Sequence, residues 1–144
     1  MCILDLAEIV AKEANFGVPV SVYRGGGHKE LDPEKPFVFI TLADIPADYL
    51  PADTAAYSWL DFAHEPVEHI IYTPWINVIP NHRHGGIARR LNWVMEEVGR
   101  RMGFTSIRVY TQMVINGKLR MLLPHFGYAI SGTDEIGEYL EKKI

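Results

Sequence analysis

The stretch that decides the fold joins a strand to a helix through two adjacent glycines, and it reads Val78-Ile79-Pro80-Asn81-His82-Arg83-His84-Gly85-Gly86-Ile87-Ala88-Arg89-Arg90-Leu91. A strand that ends at Pro80 and a helix that begins near Gly86 place the unpaired N–H groups of the first helical turn beside the glycines. The helix dipole adds roughly half a positive charge there. The stretch therefore predicts a site for an anion such as a diphosphate, with Arg83, Arg89 and Arg90 adding positive charge.

The pattern around this stretch predicts an α/β fold. Apolar side chains recur at helical spacing after the glycines and predict a helix of about four turns that ends at Gly103, and they are Ile87, Leu91, Val94, Val98 and Met102. A second amphipathic helix is expected over residues 3–15, closed by Gly17 and Pro19. A third is expected from Asn116, a good N-cap residue, to about Pro124.

Strands are expected where β-branched and aromatic residues are frequent, at 18–23, 37–42, 57–63, 67–79 (with a break or bulge near Pro74) and 105–111. A last strand pair is expected from 128–131 with part of 136–144, although the spacing of that tail alone would also permit a helix. This order of elements predicts a mixed α/β layer, the usual setting for a ligand at the ends of strands.

Composition excludes several classes of protein. The 144 residues fit one domain, 1–144, and the formal net charge of −4 gives no basic footprint for nucleic acid. No apolar run approaches the roughly 20 residues that span a bilayer, so no membrane association is expected. The start lacks a basic leader, and the single cysteine, Cys2, allows no internal disulfide. We therefore expect a cytoplasmic protein.

The glycine turn resembles the cofactor motif of the GNAT superfamily of CoA-dependent acyltransferases. That motif is Gln/Arg-x-x-Gly-x-Gly/Ala, and it is matched by Arg83, Gly86 and Ala88. The family places Val-x-Pro on the strand before it, as Val78 and Pro80 do here. Downstream, the family often has an asparagine after the next strand and Gly-Phe at the start of a later one, and these places are filled by Asn116 and Gly127-Tyr128. The resemblance covers residues 70–132.

The resemblance implies a GNAT-like fold, with a mixed, mostly antiparallel sheet of six or seven strands, flanking helices, and an opening in the sheet at the acyl-CoA site. Acetyl-CoA is then the co-substrate. Its pantetheine arm would pair with the backbone near Asn77 and Val78, and Asn116 would contact the arm from the other side. The diphosphate would be held by the turn, through Arg83, His84, Gly85, Gly86, Ile87, Ala88 and Arg89.

The implied function is transfer of an acetyl group to a primary amine by direct attack in a ternary complex. The acceptor would be a small amine, a peptide N-terminus or a protein lysine. A backbone N–H near Val78 would stabilise the oxyanion. Leu123 stands where many relatives have the tyrosine that protonates the thiolate, and the substitutes in this chain are Tyr110, His125 and Tyr128. The candidates for the general base are Tyr72, Glu68 and His69.

Several alternatives stay open. A packed tyrosine or an exposed strand glutamate is the simpler explanation for each base candidate. Leu123 also supports a catalytically inactive binding module or regulatory protein with the same fold, and the anion site alone would suit a protein that binds ATP or NAD. No metal is expected, because His64 and His69 are five residues apart, whereas ligands on a helix recur at i and i+4. Homodimer formation is left open.

Overall fold

A computed structural model of the chain describes residues 2–24, 37–44, 56–83, 85–111 and 123–144. Within these residues the helices are α1 (Ile3–Ala14) and α2 (Ile87–Arg101). The strands are β1 (Ser21–Arg24), β2 (Phe37–Thr41), β3 (Trp59–Glu65), β4 (Ile70–Asn77), β5 (Ser106–Tyr110), β6 (Ala129–Thr133) and β7 (Glu138–Lys143). Short 3₁₀ helices occupy Pro80–His82 and Leu123–Phe126.

The strands form one seven-stranded sheet in the order β1-β2-β3-β4-β5-β7-β6. Every neighbouring pair is antiparallel except β4 and β5, which run parallel because α2 connects them. The predicted α/β fold with a mixed, mostly antiparallel sheet is confirmed. The tail that the sequence left ambiguous is a strand, because β7 pairs with both β5 and β6.

Helix α1 follows the predicted pattern closely. Its buried residues recur at helical spacing, at Ile3, Leu6, Ala7, Val10 and Ala11. The Sγ of Cys2 accepts the N–H of Leu4 at its start, and Asn15, with a φ of 51°, ends the helix in the left-handed conformation. The helix thus ends just before the predicted Gly17.

Helix α2 begins and ends at the predicted glycines. Gly86 is its N-cap, with a φ of 76°, and Gly103 follows its last turn with a φ of 82°. Both angles lie in the left-handed region that favours glycine. The buried side of α2 is mostly apolar, although Asn92 and Glu96 are buried too. Together with α1 it covers one sheet face, where the main core includes Val10, Ile40, Leu60, Leu91, Val98 and Ile107.

The other face of the sheet is aromatic. Side chains alternate along the strands, so the neighbours of the core residues point away from the helices. One cluster there is built on Tyr23, Phe39 and Trp59. A second is built on Phe37, Ala63, Tyr72 and Tyr110. The strands that carry the predicted site, β4 and β5, contribute Tyr72 and Tyr110 to this face.

The predicted third helix lies mostly outside the described residues, since 112–122 are not among them. Asn116 is therefore not placed. Where the description resumes, Leu123–Phe126 form a 3₁₀ turn, which leads through Gly127 into β6.

Candidate active site at the opening between two parallel strands

The sheet opens between β4 and β5. The two strands are paired at Ile70–Ser106, Ile71–Ile107 and Tyr72–Arg108, and the pairing recorded between these described strands ends there. Beyond these pairs both strands continue, β4 paired with β3 and β5 paired with β7. The carboxyl ends of two parallel strands therefore border a gap, the position where α/β folds bind ligands.

A β-bulge accounts for the opening. Asp61 lies opposite Trp75 and Ala63 lies opposite Tyr72, so β4 carries one residue more than β3 across this stretch. The residues between Tyr72 and Trp75 include Pro74, which has no N–H to donate to a neighbouring strand. A bulge bends the strand and increases its twist, and this one lies directly beyond Tyr72, the last residue of β4 that pairs with β5. The predicted irregularity near Pro74 is thus confirmed.

The gap leads to the glycine turn. After β4, the chain passes through the 3₁₀ helix Pro80–His82 and reaches Gly86, where no side chain caps the start of α2. Among the described residues, a Cβ built on Gly86 would meet no heavy atom within 4 Å, and the first turn of α2 has no acidic residue. In that part of the chain, no side chain and no like charge opposes an anion at the first N–H groups of the helix.

Most of the predicted cofactor residues lie in succession along this path. Asn77 ends β4, where its Nδ2 donates to the carbonyl oxygen of Tyr57 at 2.8 Å, and Val78 follows it. The rest continue through the turn into α2, and they are Arg83, Gly85, Gly86, Ile87, Ala88 and Arg89. His84, like Asn116, lies outside the described residues.

The three arginines predicted to add positive charge are all exposed, but two already contact the chain. The Nε of Arg83 donates to the carbonyl oxygen of Val78 at 3.3 Å. The Nη1 of Arg90 donates to the carbonyl oxygen of Asn15 at 3.0 Å, where it caps the C-terminus of α1. Arg90 therefore joins the two helices, and Arg83 and Arg89 are the arginines better placed for a ligand.

A tyrosine–carboxylate pair lies on the aromatic face of β4. The hydroxyl of Tyr72 donates to Glu68. Burial of the phenol, together with this hydrogen bond, raises the pKa of Tyr72 above its ordinary value. The raised pKa makes the phenolate of Tyr72 harder to form, and Glu68 is the acceptor of the pair.

A second pair lies on β5. The hydroxyl of Tyr110 donates to Asp134 at 2.6 Å, and burial, followed by this hydrogen bond, raises the pKa of Tyr110. Tyr110 lies on the part of β5 that no longer pairs with β4. Tyr110 therefore lies two residues beyond Arg108, on the stretch of β5 that borders the opening.

Arg108 joins the residues of this face. Its guanidinium bonds Glu141 at 3.0 Å, lies 3.5 Å from Asp134 and sits 4.0 Å from the ring centroid of Tyr139. Asp134 belongs to the turn between β6 and β7, so Arg108 fixes that turn against β5. The electrostatic and ring contacts hold Tyr110 and its partner in place.

His69 follows Glu68 in the turn before β4, but its ring centroid lies 6.3 Å from that of Phe104, a residue of the main core. It precedes β4 with a φ of 56°, and its carbonyl accepts the N–H of Thr105 at 2.9 Å. The eight residues of β4, at about 3.3 Å each, separate its two ends by about 25 Å. His69 thus lies at the end of β4 remote from the glycine turn.

Tyr128 and His125 are the other candidates for the proton donor that Leu123 replaces, and they lie in different environments. Tyr128 is buried in the main core, and burial raises its pKa. His125 is exposed on the 3₁₀ turn that follows Leu123. Neither is shown to border the gap, which leaves Tyr110 as the better-placed donor.

Sequence reasoning missed several polar residues of this region. Ser58, Asp61, Arg108 and Asp134 were not singled out. A signal existed for Asp61 alone, since it stands in the apolar run Trp59-Leu60-Asp61-Phe62-Ala63 and is 1% exposed beside the bulge. The other three act through tertiary contacts that no local pattern encodes.

Among the described residues, no group of three or more histidine, cysteine, aspartate or glutamate side chains could hold a metal ion. The same part of the chain contains no helix with the length and apolar character needed to cross a bilayer.

Comparison with models of protein families finds no match, and comparison with curated protein sequences finds none. Solved structures do match. PaiA N-acetyltransferase from Thermoplasma acidophilum, in complex with coenzyme A, is 15% identical with a TM-score of 0.53, over 75% of this chain and 61% of that one. Nourseothricin acetyltransferase is 17% identical with a TM-score of 0.52, over 77% and 66%. The match thus spans less than two thirds of either structure.

A further match is the ribosomal-protein-S18-alanine N-acetyltransferase from Escherichia coli, at 11% identity and a TM-score of 0.51, over 78% of this chain and 72% of that one. At these identities the likeness concerns the fold. This chain has the fold of the GNAT acetyltransferases, and the predicted resemblance is confirmed at that level.

Proposed function

We propose that this protein is an acyl-CoA-dependent N-acyltransferase that moves an acetyl group to a primary amine. The observation that carries the proposal is the gap between β4 and β5, which leads to the glycine turn at the start of α2. A gap between strands suits an extended arm, and a helix N-terminus suits a diphosphate. Coenzyme A combines these two parts in one molecule.

The chain's own residues fit such a ligand. The backbone of Asn77 and Val78 would pair with the pantetheine arm, because among the described strands the pairing of β4 with β5 ends at Tyr72. The N–H groups from Gly86 to Arg89 would hold the diphosphate, since a Cβ on Gly86 would meet no heavy atom of the described residues within 4 Å. Arg83 would leave the carbonyl of Val78 to contact a phosphate oxygen.

Acetyl-CoA supplies an activated thioester that a neutral amine can attack directly, so the protein needs no nucleophile of its own. The N–H of Val78 would donate to the carbonyl oxygen as negative charge develops there. Tyr110, whose phenol is protonated at neutral pH, would turn its hydroxyl from Asp134 and donate a proton to the leaving thiolate. Most of the acceleration would come from holding both substrates in one gap.

Removal of the amine proton requires a base. Glu68 is the candidate that accepts a hydrogen bond from Tyr72, so the pair offers a carboxylate and a hydroxyl through which a proton can travel. Because the Tyr72 phenol stays protonated, it would relay a proton and Glu68 would receive it. The acceptor class is a small amine, a peptide N-terminus or a protein lysine.

The second candidate is a catalytically inactive module that keeps the fold and binds CoA. Its support is Leu123, which stands at the position of the expected tyrosine and begins a 3₁₀ turn. This alternative predicts CoA binding without thiol release from acetyl-CoA in the presence of any amine.

The deciding experiment is calorimetry of acetyl-CoA binding, with ATP and NAD as controls, followed by a thiol-release assay against a panel of amines. The proposal expects micromolar, CoA-selective binding and amine-dependent release of thiol. Binding without release favours the inactive module. Equal or tighter binding of ATP or NAD would favour a nucleotide-binding protein and remove the acyltransferase proposal.

A further inference from the structure

Ser58 is a buried polar residue that lies immediately before β3. It is 0% exposed, and its carbonyl oxygen accepts the N–H of Leu42 at 2.9 Å. Its hydroxyl oxygen accepts the N–H of Ile79 at 3.1 Å and lies 2.7 Å from the Nδ1 of His82. One serine thus connects β2 with the segment that follows β4.

The contacts of the Ser58 hydroxyl both reach the short segment that follows β4. Ile79 and His82 bond Ser58, and Asn77 bonds the carbonyl of the neighbouring Tyr57 at 2.8 Å. Within the segment, the N–H of His82 also donates to the carbonyl of Ile79 at 2.9 Å. The chain from the end of β4 to the 3₁₀ helix is therefore fixed before any ligand arrives.

The direction of the Ser58–His82 bond follows from burial. A fully buried hydroxyl needs an acceptor for its hydrogen, and the Nδ1 of His82 lies within hydrogen-bond distance. With the hydroxyl donating to Nδ1, the neutral imidazole carries its hydrogen on Nε2. The His82 atom that accepts the hydrogen bond from Ser58 is then Nδ1, the ring nitrogen nearer the backbone.

We propose that Ser58 and His82 are positioning residues for coenzyme A, an inference that rests on the proposed function. They contact no part of the ligand in this proposal. They hold Val78 and the approach to Gly86 in the conformation that binding requires. A segment ordered in advance loses less conformational entropy when the ligand binds, so these two residues increase affinity for the cofactor and leave affinity for the amine unchanged.

The test compares the dissociation constant of CoA, by calorimetry, in wild type and in Ser58→Ala, His82→Gln and His82→Asn. Asparagine keeps a polar atom near the place of Nδ1, whereas glutamine moves it one bond farther. We expect a dissociation constant about tenfold higher for Ser58→Ala and His82→Gln, the effect of about one hydrogen bond. His82→Asn should bind CoA nearly as wild type does.

Ser21→Ala is the matched control. The Ser21 hydroxyl donates to the carbonyl of Ala43 at 2.7 Å, on the edge strand β1, away from the gap. Its loss should lower the midpoint of thermal unfolding by a similar amount and leave CoA affinity unchanged. Positioning also predicts a higher KM for acetyl-CoA with an unchanged KM for the amine, and faster hydrogen exchange at the Ile79 amide of Ser58→Ala.

Two failures are distinguishable. If wild type, Ser58→Ala and His82→Gln all bind CoA equally well, this inference is overturned and the proposed function stays intact. Wild type that binds no CoA would overturn both. If Ser58→Ala does not fold, the variants of the half-buried His82 test the inference instead. Equal losses of CoA affinity in His82→Asn and His82→Gln would contradict the role given to Nδ1.

Discussion

Tyr72 on β4 and Arg108 on β5 are the last residues that pair these two parallel strands, and the strands separate beyond them. Directly after Tyr72 comes the bulge that contains Pro74. Beyond Arg108, β5 remains bonded to β7 as far as Tyr110. The last pair therefore marks the inner end of the gap to which we assign coenzyme A.

Gly86→Val should abolish measurable CoA binding. The φ of 76° makes any side chain cost about 1–2 kcal/mol there, and the added group would fill the space that the diphosphate needs. Calorimetry with the folded variant measures the loss. Gly103→Val is a matched control, because its φ is 82° and its Cβ would also meet no heavy atom of the described residues within 4 Å.

The control carries the same backbone strain at the other end of α2. If Gly103→Val lowers CoA affinity as much as Gly86→Val does, the effect comes from damage to the helix. The glycine turn would then lose its assignment as the phosphate site.

Tyr110→Phe should lower kcat by about 10²-fold, the lower range for loss of a general acid. The KM for acetyl-CoA should change little, because the ring and its packing remain. A thiol-release assay gives both constants. Tyr139→Phe is the comparison, since its ring packs against Tyr110 at 5.9 Å. Equal rates for wild type and Tyr110→Phe would show that the thiolate leaves without this acid.

Asp134 should make the fold sensitive to acid. The hydrogen bond from Tyr110 is the main cause that holds the pKa of Asp134 below its ordinary value of 3.8. A lowered folded-state pKa gives stability that is present above the unfolded-state pKa and is lost as pH falls through the folded-state value. Asp134→Asn should therefore be less stable than wild type at pH 7, with the difference shrinking below about pH 4.

Urea denaturation at several pH values measures this difference. The exposed neighbour Glu135 gives the control variant Glu135→Gln, which should follow wild type across the range. A constant difference between Asp134→Asn and wild type from pH 7 to pH 2 would contradict the assignment.

Gly99 should tolerate alanine but not leucine. A Cβ there would lie 2.5 Å from the Cδ1 of Ile144 and 3.0 Å from that of Ile71. Both are ends of flexible side chains, and alanine gains about 1 kcal/mol of helix propensity, so Gly99→Ala should stay within about 1 kcal/mol of wild type. Gly99→Leu should lower the free energy of unfolding by about 2 kcal/mol.

Chemical denaturation distinguishes the two Gly99 variants. Trp93→Leu, on the exposed side of α2, tests whether any leucine in this helix has the same effect. A Gly99→Leu variant as stable as wild type would show that α2 does not pack closely against the sheet at this position.

The elements that local pattern specifies were predicted well. The apolar spacing of α1 and α2 and the glycines at both ends of α2 fixed those helices to within a residue or two. The run from Phe37 to Thr41 was identified as a buried strand, and Pro74 was identified as an irregularity. Each prediction depended on residues within a few positions of one another, because helix periodicity and the missing N–H of proline act locally.

The sequence by itself determined that a strand, a glycine turn and a helix would meet near Gly86, because backbone geometry at glycine and helix termini is a local property. Only the tertiary structure decided which side chains from distant parts of the chain lie together. It brought Tyr110 to Asp134 and Ser58 to His82, placed His69 at the far end of β4, and assigned Arg90 to the end of α1. Those outcomes depend on strand order and register, which join residues distant in the chain through pairings that no local pattern records.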